Sequence, residues 1–194
     1  MSGLINISEV NSMKENEFQR VFGNVIELCE SAAVSVKDTR PFKGLPDLCA
    51  AFNKYLDDLN LEGDKVMLQQ LLGKVTIPKH VMGKIEILKS HPDLAGRLAA
   101  RNELTRESAN EQRSAGLTDL TFEQKSTIEV NNERYKSKFG FPFIICAREN
   151  KVQSIIEGLQ RRYNNSREQE IITGINEVKK ICRLRILDIV RSEE

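Results

Sequence analysis

The chain of 194 residues has a composition typical of one compact soluble domain. It carries 29 Lys and Arg against 28 Asp and Glu, a formal net charge of +1, and 40% hydrophobic residues. Because a protein that binds a nucleic-acid backbone needs clustered positive charge, this balance argues against nucleic acid as a partner. A domain of this length buries roughly 70% of the surface that its unfolded chain exposes, so its core needs neither a disulfide nor a structural metal.

Targeting signals and disulfide motifs are missing from the sequence. The four cysteines are widely spaced and form no C-x-x-C pair, which is typical of reduced thiols in an intracellular protein. No stretch approaches the roughly 20 apolar residues that span a bilayer, and residues 1–10 lack the regions of a signal peptide. The last residues, 191–194, do not form an S-K-L type of peroxisomal address. We therefore expect a cytoplasmic protein without a membrane partner.

Helical periodicity dominates the first half of the chain. Ser12 and Glu15 have capping-box spacing, which predicts a helix start at Ser12. The next helix has apolar residues at three- and four-residue intervals, with Pro46 tolerated near its start: Leu48, Ala51, Phe52, Tyr55, Leu56 and Leu59. A later helix ends before His91, because a following proline disfavours the helical conformation.

The second half repeats these signals. Thr105 is a candidate helix cap, and Thr121 with Gln124 predicts the start of a helix that ends at Gly140, a residue able to adopt a left-handed conformation. Helical spacing returns at 152–163, and Ser166 with Gln169 predicts the start of the last helix. Residues 141–145 form a short apolar run whose backbone groups are free to contact a ligand. We predict about seven to nine helices and no significant sheet.

Several classes of site lack their sequence motifs. Only two histidines exist, His80 and His91, and no H-E-x-x-H, paired C-x-x-C or EF-hand loop occurs, so we expect no metal site. The glycine-rich loops that hold nucleotide phosphates are missing, as is the G-x-S-x-G motif of serine hydrolases.

Polar residues in the second half form a candidate reactive set. His91 lies in a turn and can exchange a proton near neutral pH, although a turn histidine is more often a surface or packing residue. Ser108, Glu111 and Gln112 share one helix face, which could equally be solvated. Arg185 lies in the apolar stripe of the last helix, where it could bind an anion, complete an internal salt bridge or extend to solvent.

Four motifs in order closely resemble the OHCU decarboxylases, named after 2-oxo-4-hydroxy-4-carboxy-5-ureidoimidazoline. The resemblance runs from about Phe18 to Val190. The motifs are Ser90 to Arg97, Leu104 to Leu117, Phe139 to Arg148, and Glu177 to Arg185. The resemblance implies an all-α fold, with a single compact multi-helix domain over residues 1–194. It also implies assembly as a homodimer.

The resemblance also implies an activity in urate breakdown, the decarboxylation of the ureidoimidazoline to S-allantoin. Because the substrate has a C=N bond beside the carbon that loses CO2, we expect a carboxy-lyase that needs no cofactor. Peroxisomal location is also compatible with the family. Two alternatives are a non-catalytic paralogue that binds a ureide-like ligand and a helical interaction scaffold.

Site residues follow from the matched positions. We expect His91, oriented by the Glu111 carboxylate, to act as the acid/base, and Arg185 to anchor an anionic or carbonyl oxygen of the substrate. The other expected substrate-binding residues are Pro92, Ser108, Ala109, Asn110, Gln112, Phe143, Ile144, Ile145, Cys146 and Ala147.

One region departs from the pattern of the family. An atypical insertion of roughly 20 residues, around Glu62 to Lys84, separates the helix at 47–59 from the histidine motif. Glycines and a proline punctuate it, which predicts a short helix flanked by loops. Since loop insertions cost little free energy, we expect the fold to tolerate it.

Overall fold

The computed structural model describes residues 3–62, 64–66 and 79–192. Within these ranges the chain forms ten α-helices, two short 3-10 helices at Lys37–Thr39 and Ala147–Glu149, and two short strands. The helices are α1 Ile7–Ser12, α2 Glu15–Phe22, α3 Glu30–Val36, α4 Leu45–Asp58, α5 Lys84–Ser90, α6 Arg97–Ala100, α7 Arg106–Ser114, α8 Phe122–Phe139, α9 Val152–Arg162 and α10 Arg167–Leu187. The expected all-α fold is confirmed.

One continuous apolar core holds the helices together. The 21-residue helix α10 packs against α4 and α5, while α8 packs against α9 and α3 lies between α2 and α4. Aromatic side chains fill much of the interior, including Phe18, Phe22 and Phe52 in the N-terminal half and Tyr135 with Phe139 in α8. Burying one such side chain contributes roughly 1.5 to 3 kcal/mol, so these rings account for a substantial share of the stabilisation.

Most predicted helix ends are confirmed. Thr121 and Ser166 cap α8 and α10 by accepting from the backbone N–H three residues later. Gly140 ends α8 in the left-handed conformation, at φ 81°. Thr105 caps α7 by accepting from Ser108 N–H at 3.2 Å.

The predicted helix start at Ser12 is wrong. Ser12 is the last residue of α1, and its hydroxyl donates to the Ser8 carbonyl instead of capping the next helix. The capping box lies at Asn6 and Glu9, at the beginning of α1. Spacing alone does not distinguish the end of one helix from the start of the next when only two residues separate them.

The stretch around Glu62 to Lys84, which the sequence analysis interpreted as an insertion, is only partly described. Asp64–Val66 (β1) pairs antiparallel with Lys79–Val81 (β2), so the segments that flank its centre are paired strands, where the sequence predicted loops. The predicted short helix falls on residues that lie outside the described ranges. The strand pair is too small to change the fold class.

Four segments place the candidate residues around one point in the core. They are the turn after α5, the first two turns of α7, the loop that follows Gly140, and the last turns of α10. Of the helices that the structure describes, none is long and apolar enough to cross a membrane.

Candidate active site

A small, partly open cavity lies where these four segments meet. Its volume is about 30 Å³, which is room for one or two water molecules. The lining residues are His91, Pro92, Leu94, Ser108, Glu111, Gln112, Phe143, Ile144, Ile145, Ala147, Ile181 and Arg185. Polar groups from α7 and α10 therefore face an apolar wall that the 141–147 loop supplies, an arrangement typical of small-molecule sites.

His91 enters the cavity as a buried side chain with a defined tautomer. Its Nδ1 lies 2.8 Å from the carbonyl oxygen of Ile87, one turn earlier in α5. Because a carbonyl oxygen only accepts hydrogen bonds, Nδ1 carries the proton and Nε2 carries a lone pair. Nε2 is buried and has no hydrogen-bond partner within the described part of the chain.

The surroundings keep this imidazole neutral. Burial lowers the pKa of His91 to about 4, and the charge of Arg185 acts in the same direction. The hydrogen bond to Ile87 and the charge of Glu27 oppose this shift without cancelling it. At neutral pH the residue is an uncharged base aimed into the cavity.

Glu111 does not orient His91, which corrects the sequence-based expectation. The imidazole is held by the Ile87 carbonyl, while both carboxylate oxygens of Glu111 accept from Arg185, from Nε at 2.7 Å and from Nη2 at 2.8 Å. The expectation failed because the backbone carbonyl one turn earlier satisfies Nδ1 of the histidine without a carboxylate.

Arg185 uses all five of its N–H groups within the protein. Besides the two bonds to Glu111, Nη1 donates to the Asn24 carbonyl at 2.8 Å and to Glu27 Oε2 at 2.7 Å, and Nη2 donates to Ser108 Oγ at 3.2 Å. The side chain is 3% exposed. Burial alone would lower the pKa of Arg185, but the hydrogen bonds and charges of Glu111 and Glu27 outweigh it and raise the pKa. Of the roles that the sequence left open, the structure displays the internal salt bridge.

Glu27 is a site residue that the sequence analysis missed. It lies between α2 and α3, is 2% exposed, and accepts from Thr105 Oγ1 at 2.8 Å, Ser108 Oγ at 3.0 Å and Arg185 Nη1. One signal was available, since Glu27 is the only charged residue in the run from Val25 to Cys29. A buried carboxylate requires donors, and here three side chains supply them.

Ser108 and Gln112 are held in fixed orientations on α7. The Ser108 hydroxyl donates to Glu27 and accepts from Arg185, so it presents its remaining lone pair to the cavity. Gln112 Oε1 accepts from Ala95 N–H at 2.9 Å, and its Nε2 donates to the Asp93 carbonyl at 3.3 Å. One N–H of Gln112 is left to donate elsewhere.

Two buried charged side chains, Arg162 and Glu177, hold the backbone of the 141–147 loop by hydrogen bonds. Arg162 Nη1 donates to the Ile144 carbonyl at 2.7 Å, and Cys146 N–H donates to Glu177 Oε2 at 2.7 Å. The backbone N–H groups of Ile145 and Ala147 have no partner among the residues that the structure describes. They are therefore available to a ligand, whereas Ile144 C=O and Cys146 N–H are already engaged.

Ten of the thirteen expected site residues line the cavity, and three do not. Asn110 instead lines a separate, outer cleft, and its side-chain Oδ1 accepts from Arg113 Nη1 at 3.0 Å. Neither Ala109 nor Cys146 belongs to the lining, and burial raises the pKa of the Cys146 thiol to about 11, which leaves it unreactive. Leu94 and Ile181 are lining residues that the sequence analysis did not include.

A larger cleft of about 640 Å³ lies on the outer side of the same ion pair. Glu111 and Arg185 line both the cleft and the inner cavity. The paired side chains therefore form part of the wall between the two spaces. Charged side chains of both signs line the cleft, and two of its arginines are ion-paired there, Arg106 with Glu107 and Arg148 with Asp188.

No group of three potential metal ligands occurs among the described residues. This finding covers the side chains of residues 3–62 and 82–192.

Sequence comparisons match nearly the whole chain. A family model described as OHCU decarboxylase matches residues 11–187. The chain is 37% identical over 190 residues to the 2-oxo-4-hydroxy-4-carboxy-5-ureidoimidazoline decarboxylase of Xenopus laevis, covering 98% of this chain and 97% of that relative. It is 38% identical over 187 residues to the enzyme of the same name from Amia calva, covering 96% and 95%.

Solved structures show the same fold at lower identity. A crystal structure of (S)-allantoin synthase aligns with a TM-score of 0.67 at 19% identity, over 96% of this chain and 54% of that chain. A crystal structure of OHCU decarboxylase in the presence of (S)-allantoin aligns with a TM-score of 0.61 at 19% identity, over 90% and 96%. The family match over residues 11–187 and the relatives at 37% and 38% identity show that the chain belongs to the OHCU decarboxylase family.

Proposed function

We propose that this protein decarboxylates 2-oxo-4-hydroxy-4-carboxy-5-ureidoimidazoline to (S)-allantoin, a step of urate degradation. The observation that carries the proposal is the neutral imidazole of His91, whose unpartnered Nε2 faces a cavity built from the motifs of the family. A base of this kind is the group that the reaction requires at the substrate hydroxyl.

The substrate supplies its own electron sink. Its C4 carries a hydroxyl and a carboxylate, and C5 is joined to a ring nitrogen by a double bond. When the C4 to carboxylate bond breaks, the electron pair forms a C4=C5 double bond and the C=N electrons move to nitrogen, which takes a proton. The hydroxyl proton then leaves as C5 gains a proton, giving allantoin and CO2. No cofactor is needed to hold the electrons.

His91 is placed to manage the hydroxyl proton. Nε2 accepts it, and the Ile87 carbonyl keeps the ring oriented by accepting from Nδ1. The imidazolium formed is near the Glu27 carboxylate, whose charge favours the protonated form. A positioned base of this type contributes roughly 100- to 10,000-fold in rate.

The other polar groups of the cavity complement a ureido group and a ring carbonyl. Ser108 Oγ accepts hydrogen bonds, whereas the free N–H of Gln112 and the backbone N–H groups of Ile145 and Ala147 donate them. A ureido group offers both N–H donors and a carbonyl acceptor. In this proposal the four groups fix the substrate relative to His91.

Arg185 acts in this proposal through the groups that it holds. Its N–H groups fix Glu111 and Ser108, and its positive charge lies in the cavity wall. A direct bond to the substrate would require one present partner to be displaced. The small volume of the cavity indicates that lining side chains move when substrate enters. Enclosure then matters, because an intermediate open to water would be protonated on either face.

The test is circular dichroism of freshly generated substrate, with and without the protein. Enzymatic function predicts faster appearance of one allantoin enantiomer. Thermal stabilisation by a ureide without faster conversion would instead indicate a non-catalytic binding protein. Neither effect would indicate a helical interaction scaffold, and the proposal would be wrong.

The proposal includes a homodimer, as expected from the family. It is supported by apolar surface on α8, where Phe122 is 90% exposed and Val130 is 55% exposed. In the proposal these two side chains belong to the face that the partner covers. Light scattering during size-exclusion chromatography tests it: a monomer mass at micromolar concentration contradicts the dimer.

A further inference from the structure

Glu27 connects three separate parts of the site. Its carboxylate accepts from Thr105, the N-cap of α7, from Ser108 in the first turn of α7 and from Arg185 in α10. Its backbone carbonyl oxygen lies 2.8 Å from Ser90 Oγ, immediately before His91. A single residue therefore links the histidine turn to the two helices that carry the other polar groups of the cavity.

The Ser90 hydroxyl extends this connection to the imidazole. Ser90 Oγ is also 2.8 Å from the Ile87 carbonyl oxygen, which is the acceptor for His91 Nδ1. A hydroxyl with one hydrogen is thus shared between the Glu27 and Ile87 carbonyls. A shift of the segment that holds Glu27 would change the hydrogen bond that sets the tautomer of His91.

Stability alone does not account for a second buried carboxylate here. Arg185 already forms a bidentate ion pair with Glu111. Burying a further charge costs free energy, and replacing buried ion pairs with uncharged groups is often neutral or stabilising. Glu27 is not among the residues that line the cavity, so the geometry favours a role through its neighbours.

Glu27 determines the direction in which the Ser108 hydroxyl donates its hydrogen bond. Because the Ser108 hydrogen is directed to Glu27 Oε2 at 3.0 Å, the hydroxyl meets a ligand only as an acceptor. Without the carboxylate, the hydroxyl could rotate and donate into the cavity. The orientation of a ureido group against Ser108 would then no longer be unique.

We propose that Glu27 is a positioning residue for the decarboxylation, holding Ser108 as an acceptor and fixing Arg185 and the His91 turn relative to each other. This inference rests on the proposed function. It deepens it by adding a residue that acts through others rather than on the substrate.

The first experiment compares Glu27→Gln with Glu30→Gln, an exposed control three residues away. Glutamine keeps the length and one acceptor oxygen, and Arg185 keeps Glu111, so Glu27→Gln should fold. We expect kcat to fall by about 10- to 100-fold, with little change in KM and in the urea midpoint. If Glu27→Gln has the same kcat as the wild type, the positioning role of Glu27 is wrong. The proposed function would still stand in that case, because the wild-type protein is active. An inactive wild type would instead overturn the proposed function and this role with it.

A double-mutant cycle with Ser108→Ala tests the route of the effect. If Glu27 acts through Ser108, the loss of kcat caused by Glu27→Gln should be smaller in the Ser108→Ala background. Losses that multiply independently would overturn this route, because a general loosening of the fold acts equally in both backgrounds.

Ser90 provides a second test that does not depend on the folding of a Glu27 variant. Ser90→Ala removes the hydroxyl that joins the Glu27 carbonyl to the histidine turn, and Ser90→Thr keeps it. We expect Ser90→Ala to lower kcat and Ser90→Thr to restore most of it. Equal wild-type activity of both variants would overturn the proposed link between Glu27 and His91.

Discussion

His91 Nδ1 lies 2.8 Å from the carbonyl oxygen of Ile87, and this contact fixes which ring nitrogen faces the cavity. The N–H at Nδ1 donates to the Ile87 carbonyl, so Nε2 carries the lone pair, and Nε2 has no hydrogen-bond partner among the described residues. The base is thus prepared by local backbone geometry, with no carboxylate bonded to the ring.

The pH dependence of stability follows from the neutral state of His91. Burial holds its pKa at about 4, below the roughly 6.5 of an unfolded histidine, so the unfolded chain binds the proton first. The neutral His91 side chain makes its full contribution to the free energy of unfolding above about pH 6.5, and this contribution is lost as the pH falls toward 4. Between pH 7.5 and 5.0 we expect the wild type to lose about 2 kcal/mol more free energy of unfolding than His91→Asn. Urea titrations at both pH values measure this, and equal losses would contradict it.

Arg185 variants separate ion pairing from substrate binding. Arg185→Ala leaves Glu27 and Glu111 without their cation, and we expect a loss of about 3 to 5 kcal/mol of stability. Arg185→Lys keeps the charge but not the planar fork, so it cannot satisfy Glu27, Glu111 and Ser108 together. We expect lower kcat as well as lower stability for the lysine variant. Melting temperature and kinetics decide the matter, and a fully stable Arg185→Lys protein with high KM alone would show that the arginine mainly contacts substrate.

Arg162 is expected to stabilise the loop that forms the apolar wall. It bonds the Ile144 carbonyl and pairs with Glu170, which is completely buried. Arg162→Ala strands that carboxylate and should destabilise the protein by about 3 to 5 kcal/mol. The neighbouring Arg161→Ala, at an exposed position, is the matched control and should change stability by less than about 0.5 kcal/mol. Similar urea midpoints for both variants would contradict this assignment.

The activity should not depend on a metal ion. The substrate provides its own electron sink, and the proposed proton transfers need only an imidazole and hydrogen-bonding groups. Dialysis against EDTA should leave the rate unchanged. Loss of activity that added Zn, Mn or Mg restores would contradict this prediction.

Local chemistry made much of the fold predictable. Gly140, Thr121 and Ser166 each satisfy backbone groups within three or four residues, so their roles follow from short spacing. The strand pair at 64–66 and 79–81 was not predictable in the same way, because residues 67–78 separate its partners along the chain.

The site was predictable only in part, because many of its hydrogen-bond partners are far apart in the sequence. Glu27 bonds to Thr105, Ser108 and Arg185 across separations of 78, 81 and 158 residues, and no local pattern specifies such partners. For Arg185 the sequence gave partial information. Its position in the apolar stripe of the last helix indicated that the charge needs a partner, but it did not identify that partner. The hydrogen bond between His91 and Ile87 spans only four residues, but the sequence of the turn did not indicate that the imidazole would be buried.

The most direct test of the account is stereospecific turnover by His91→Asn. The asparagine amide can still donate to the Ile87 carbonyl, but it removes Nε2, so the fold is kept while the base is lost. The other histidine of the chain gives the control, His80→Gln. With circular dichroism of freshly generated substrate, we expect His80→Gln to form (S)-allantoin at the wild-type rate and His91→Asn to be slower by about 100- to 10,000-fold. A folded His91→Asn protein that retains more than about half of the wild-type rate would contradict the role of His91 as the base.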